Sequence, residues 1–142
     1  MNNLITTFFY LGRLPIAPGT WGSMGALLVW CLIPVNFLLR ILILTVTCII
    51  GYIACEAVLK ESDDSDPSYI VIDEVIGLWL ALLFIPKSLF LFILGFSLFR
   101  IFDILKPSFI YQSQFMPGAK GVMVDDILAG AFTLIILLGV MA

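Results

Sequence analysis

Residues 37–59 read FLLRILILTVTCIIGYIACEAVL. Arg40 stands near the start of this run and Glu56 near its end, and Ile41–Cys55 between them carries no charge. A bilayer core takes roughly 20 apolar residues per helix, about 17 at the least. Phe37–Leu59 is therefore expected to span a membrane, and the rest of the chain is read outward from it.

Four more charge-poor stretches flank that run. Bounded at their nearest turn signals, they give Gly22–Ile33, Tyr69–Ile85, Ser88–Leu105 and Asp125–Met141. Pro34 closes the first, and Pro86 separates the second from the third. Gly22–Ile33 is short and either spans or re-enters. The expected fold is all-α: a polytopic membrane helical bundle of four to five transmembrane or membrane-embedded helices. Residues 1–142 form a single membrane-embedded domain with the active site at one membrane face.

Composition agrees. Hydrophobic residues make up 62% of the 142, against 7 Lys and Arg and 10 Asp and Glu. Mean hydropathy is +1.17. Soluble domains are about a quarter charged, so a water-soluble monomer is nearly excluded, and so is disorder. A net charge of −3 offers no footprint for nucleic acid. The absence of His removes Ser-His-Asp triads and His-ligated metals. Cys31, Cys48 and Cys55 lie in apolar runs without metal-ligand spacing and read as small buried hydrophobes. Met1-Asn2-Asn3 lacks a basic n-region, so no cleaved signal peptide is expected.

If all five segments cross, Arg40 and Lys87 share one side and every other charged residue gathers at the opposite side. The cations there are Arg13, Lys60, Arg100, Lys106 and Lys120, five against two. The positive-inside rule makes that side cytoplasmic. It receives the N-terminal loop, the charged Lys60–Ser68 loop, and a long aromatic loop, Pro107–Val124.

The polar side holds the chemistry. Asp73-Glu74 sits about one turn inside a span, where acids are costly unless solvated, paired or metal-bound. Gly77 follows within a turn and lets a neighbouring helix approach closely. Asp125-Asp126 opens the last helix, with Ala129 and Gly130 one turn on. For either pair alone, helix-dipole compensation or N-capping is a sufficient account. Two pairs on one side point instead to a hard divalent cation such as Mg²⁺, which wants carboxylate oxygens and retained waters. The metal ligands expected are Asp73, Glu74, Asp125 and Asp126, within a few residue-widths of one another.

Arg100, Asp103 and Lys106 follow at i, i+3 and i+6. They read as a phosphate clamp, Arg as the bidentate fork and Lys as a point charge. An intrahelical Arg–Asp pair is the competing account. Asp103 either orients Arg100 or joins the metal. The stretch Pro15-Ile-Ala-Pro-Gly-Thr-Trp-Gly-Ser23 enters the first apolar helix, and Gly19, Thr20 and Ser23 offer backbone N–H groups and hydroxyls to an anion. Asp64-Ser65-Asp66 superficially fits a phosphoaspartyl DxD but lacks the preceding hydrophobic strand, so it is read as solvated loop. Carboxylates, cations and hydroxyls at one membrane face describe metal-assisted hydrolysis of a phosphate headgroup. A small transporter or channel subunit with membrane-face carboxylates is the alternative, as is a structural membrane protein.

Four blocks carry a family resemblance: Pro18–Ser23, Ile70–Gly77, Phe99–Pro107 and Gly121–Gly130. In this order and spacing the chain resembles phosphatidylglycerophosphatase A, a bacterial inner-membrane lipid phosphatase. The resemblance implies Mg²⁺-dependent hydrolysis of phosphatidylglycerophosphate to phosphatidylglycerol and phosphate, in phospholipid biosynthesis. It places the family's acids on Asp73, Glu74, Asp103, Asp125 and Asp126, its cations on Arg100 and Lys106, and its Gly-Thr turn on Gly19-Thr20. The chain departs from the family pattern at Phe109 and at Ala119-Lys120-Gly121, both in the long loop. The leading reading takes a metal-activated water as nucleophile, with a covalent aspartyl-phosphate intermediate as the alternative.

Overall fold

The computed structural model describes residues 1–62, 64, 67–113 and 115–142, without the side chains of 108 and 109. Asp63, Ser65 and Asp66 of the charged loop, and the Phe109 side chain, therefore lie outside the described residues. The elements are α1 (Asn2–Thr6), a 3-10 turn (Leu11–Arg13), α2 (Pro18–Leu32), α3 (Phe37–Leu59), α4 (Ile72–Ala81), α5 (Leu89–Leu105), α6 (Ser108–Ser113) and α7 (Ala119–Met141). No strand occurs among the described residues.

Local chemistry sets most of the helix ends. The Asn36 side chain caps α3 by accepting from the Leu39 N–H at 3.0 Å. Ser88 caps α5 by accepting from the Leu91 N–H at 3.5 Å. Pro18 occupies the first turn of α2, where its missing N–H costs nothing. Lys106 ends α5 in the left-handed conformation at φ 41°, and Pro107 forbids continuation.

Among the described residues, only α3 and α7, 23 residues each, are long and apolar enough to cross a membrane on length and composition. The expectation of four to five such helices is corrected to two. The Tyr69–Ile85 segment changes most. Its helix, α4, has 10 residues and rises only about 15 Å, half a bilayer core. It stops because distant donors satisfy the carbonyls that follow it. Trp30 Nε1 donates to Leu82 O at 3.3 Å, and Arg40 Nη1 donates to Ile85 O at 2.9 Å and Leu83 O at 3.4 Å. Arg40 is 1% exposed, and its guanidinium lies 5.1 Å over the Trp30 ring.

Two further boundaries move. Helix α2 begins at Pro18, four residues before Gly22. Helix α7 begins at Ala119, so Asp125 and Asp126 lie in its second turn rather than opening it. The long loop Pro107–Val124 is accordingly mostly helical, taken up by α6 and the first turns of α7.

α4 is the buried centre of the bundle, and α7 crosses it through glycines. A Cβ on Gly77 would meet Asp126 O at 2.6 Å and the Phe99 ring at 2.6 Å, and one on Gly130 would collide with the Gly77 carbonyl. Trp79 stacks on Trp30 with ring centres 5.4 Å apart and planes 29° from parallel, and its Nε1 donates to Ala26 O at 2.9 Å. Gly19 of α2 lies beside Glu74 and Arg100 at one end, while Gly95 of α5 lies beside Leu82 and Leu137 towards the other. Both acid pairs thus share one end, and Arg40 sits at the opposite end. Gly130→Ala is expected to destabilise the fold by about 3 kcal/mol, because the added methyl meets backbone that cannot rotate away. Thermal unfolding in detergent checks this, and an unchanged midpoint would contradict the close crossing.

Candidate active site

Four helix ends build one cavity of about 370 Å³. The first turn of α4 brings Asp73 and Glu74, the second turn of α7 brings Asp125 and Asp126, the end of α5 brings Arg100, Asp103 and Lys106, and the start of α2 brings Gly19. The glycine crossing of α4 on α7 sets the acid pairs against each other, since each pair lies within about a turn of its crossing glycine.

One carboxylate oxygen from each of Asp73, Glu74 and Asp126 lies within 4.8 Å of the other two. Asp73 and Asp126 are buried, at 8% and 3% exposure. Like charges this close repel strongly at low dielectric unless a cation or protons intervene. Glu74 Oε2 is buried and has no hydrogen-bond partner among the described residues. Three oxygen donors with an orphaned acceptor among them fit a hard divalent cation. Asp125 stands apart from this group: its Oδ2 accepts from Lys106 Nζ at 2.5 Å. Burial pulls the Lys106 ammonium down, but the hydrogen bond and charge of Asp125, with the charges of Asp126 and Asp103, raise it above its ordinary value.

Arg100 lies across the same cavity. Its Nη1 pairs with Asp103, approaches Glu74 Oε1 at 3.9 Å and donates to Ser23 Oγ at 3.4 Å. Its Nε is buried without a hydrogen-bond partner among the described residues. The intrahelical Arg100–Asp103 pair is thus present, and it turns the guanidinium towards the acids. Ser23 Oγ donates onward to Gly19 O at 2.8 Å, which ties the α2 start to Arg100. Gly19 is glycine for a steric reason, since a Cβ there would run into the Glu74 carboxylate and come within 3.2 Å of Arg100 Nη1. Thr20 is half-buried and does not line the cavity.

The sequence reading missed part of the wall. Ala17, Ser68, Ile70 and Val122 line it. Ala17 holds a left-handed conformation at φ 50°, as does Lys106 across the cavity. Non-glycine residues in that region carry strain and cluster at functional sites, but no residue-type pattern announces it.

Comparison with known proteins follows the same lines. The family profile described as Phosphatidylglycerophosphatase A matches residues 4–141. A Bacteroides thetaiotaomicron protein with the provisional name of a phosphatidylinositol-3-phosphatase is 37% identical over 94% of this chain and 89% of its own length. Proteins named Phosphatidylglycerophosphatase A are 35% identical in Escherichia coli, over 92% of this chain and 78% of theirs, and 34% identical in Haemophilus influenzae, over 97% and 87%. No solved structure matches.

Proposed function

The chain belongs to the phosphatidylglycerophosphatase A family and is by that membership a phosphoric monoester hydrolase, and on this premise we propose that it hydrolyses phosphatidylglycerophosphate to phosphatidylglycerol and phosphate in phospholipid biosynthesis. The observation that carries this reading is the convergence of three carboxylates with Arg100 and Lys106 in one cavity. Anionic groups alone would repel a phosphate, and cations alone would hold it without cutting it.

Asp73, Glu74 and Asp126 would hold Mg²⁺. When bound, it neutralises phosphate charge and acidifies a water molecule. The chain's own groups do the rest. Arg100 has an unpartnered Nε for a phosphate oxygen, and Asp103 and Ser23 keep its fork oriented. Lys106 supplies a second positive charge, and its contact with Asp125 keeps it protonated. The net step adds water across the P–O ester bond and releases inorganic phosphate and the lipid alcohol. Asp125 acts as the positioning partner of Lys106 rather than as a fourth ligand.

The bilayer is the proposed setting. Only 22% of the apolar window of α3 is buried within the bundle. Phe37, Leu38, Leu42, Ile49 and Ile53 face outward, as do Leu89, Phe90 and Ile93 on α5. An apolar surface of this extent suits lipid rather than water. We read α3 and α7 as spans of the inner membrane, with α2, α4 and α5 embedded beside them. The site end faces the cytoplasm by the cation asymmetry, five against two. A transporter or channel subunit would distribute ionisable groups along its depth, whereas these gather at one end.

Phosphate release by the purified protein tests the proposal, using phosphatidylglycerophosphate, phosphatidylinositol 3-phosphate and phosphatidic acid, each with Mg²⁺ and with EDTA. The expected result is preferred turnover of phosphatidylglycerophosphate and its loss in EDTA. Preference for the inositol lipid would move the substrate to that of the Bacteroides relative's name, and turnover unaffected by EDTA would remove the metal. Sealed inverted vesicles should hydrolyse added short-chain substrate and right-side-out vesicles should not; the opposite result would reverse the orientation.

A further inference from the structure

A second cavity, of about 580 Å³, adjoins the catalytic one and shares Pro18 and Ser68 with it as common wall. Its other walls include Asn3, Leu14, Tyr69 and Arg13. Arg13 makes no ion pair among the described residues. Its guanidinium carbon lies over the Tyr10 ring, 5.5 Å from the ring centre. Among the described residues no hydrogen bond or ion pair engages the Arg13 guanidinium N–H groups, which leaves them for an oxyanion.

The segment that carries Arg13 is held under strain. Phe8, Phe9 and Tyr10 are all left-handed, at φ 43°, 58° and 67°, a conformation that costs non-glycine residues energy at each position. Two contacts hold it there. The Val71 N–H donates to Thr6 O at 2.8 Å. Gly12 packs so tightly on the Tyr69 carbonyl that a Cβ would collide with it. Arg13 is thereby fixed beside the chain entering α4, which carries Asp73 and Glu74.

We propose that this outer cleft receives the second phosphate of the substrate, the phosphodiester that joins the headgroup to diacylglycerol, and that Arg13 is the residue that selects for it. The proposal rests on the lipid-phosphatase reading above. Phosphatidylglycerophosphate carries a terminal monoester and, beyond a short polyol, a diester. With the monoester in the three-carboxylate cavity, the diester falls in the adjoining cleft. Leu14, 37% exposed on the cleft wall, and Ile16, 76% exposed beyond it, offer apolar surface for the acyl chains that follow. Phosphatidic acid has the monoester alone and gains nothing from Arg13.

The test compares wild type, Arg13→Gln and Arg13→Lys on phosphatidylglycerophosphate and phosphatidic acid in mixed micelles with Mg²⁺. Arg13→Gln should raise KM for phosphatidylglycerophosphate roughly tenfold or more, the loss of one charged hydrogen-bonding group, with kcat within about twofold. Kinetics on phosphatidic acid and the melting temperature should stay at wild-type values. Arg13→Lys should recover part of the KM, because charge returns without the fork. Equal losses on both lipids, or no change on either, would overturn the assignment while leaving the phosphatase reading in place. A wild-type protein that hydrolyses neither lipid would overturn both.

Discussion

Arg100→Ala is expected to lower kcat about 10³-fold, close to 4 kcal/mol of transition-state stabilisation, in line with guanidinium groups in phosphoryl transfer. The side chain is 15% exposed and touches Asp103, Glu74 and Ser23. Removing it leaves two carboxylates without their cation and the phosphate without its fork. Arg100→Lys should recover little, because an ammonium cannot serve Asp103 and a phosphate oxygen in one plane. Phosphate release by detergent-purified variants measures the effect, with the melting temperature as the folding control. Near-normal turnover in either variant would reduce Arg100 to a structural partner of Asp103.

Asp126→Asn should be at least as damaging to turnover, with the opposite effect on the metal-free protein. The carboxylate is 3% exposed and shares its neighbourhood with Asp73 and Glu74. Replacing one of three anionic carboxylates by a neutral amide should cost several kcal/mol of charge stabilisation, about 10³-fold in rate. Without Mg²⁺ the same change relieves repulsion, so the variant should melt no lower than wild type. Adding Mg²⁺ should raise the wild-type midpoint by mass action and leave the variant's unchanged. A variant that keeps the Mg²⁺-induced shift would place the metal elsewhere.

What could be read in advance follows the range of the interactions. The bounds of α3 are local: Pro34 and Asn36 start it, and an apolar run interrupted only by Arg40 and Glu56 carries it to Leu59. The meeting of the acid pairs was legible through Gly77 and Gly130, because small residues one turn from a charge mark a close helix crossing. The length of α4 was not legible. Its end depends on Trp30 and Arg40, 43 to 52 residues away in sequence, which supply donors to Leu82, Leu83 and Ile85. No local breaker stands between Ala81 and Leu82. The contact of Asp125 with Lys106 was equally hidden, since adjacent acids in a sequence carry no sign of which one faces the ammonium. Asp125 and Asp126 point to different neighbours because successive residues on a helix project about 100° apart.

The Trp30–Trp79 stack has an optical consequence. Two indoles 5.4 Å apart and 29° from parallel couple their electronic transitions, so the far-ultraviolet circular dichroism of this protein, where the strong indole transition lies, should carry an exciton signal. The third tryptophan, Trp21, is 43% exposed and takes no part in the stack. The signal reads the docking of α2 on α4 and does not depend on substrate or cation. It gives folding studies an intrinsic probe in the half of the bundle that performs no chemistry, independent of any assay at the other end.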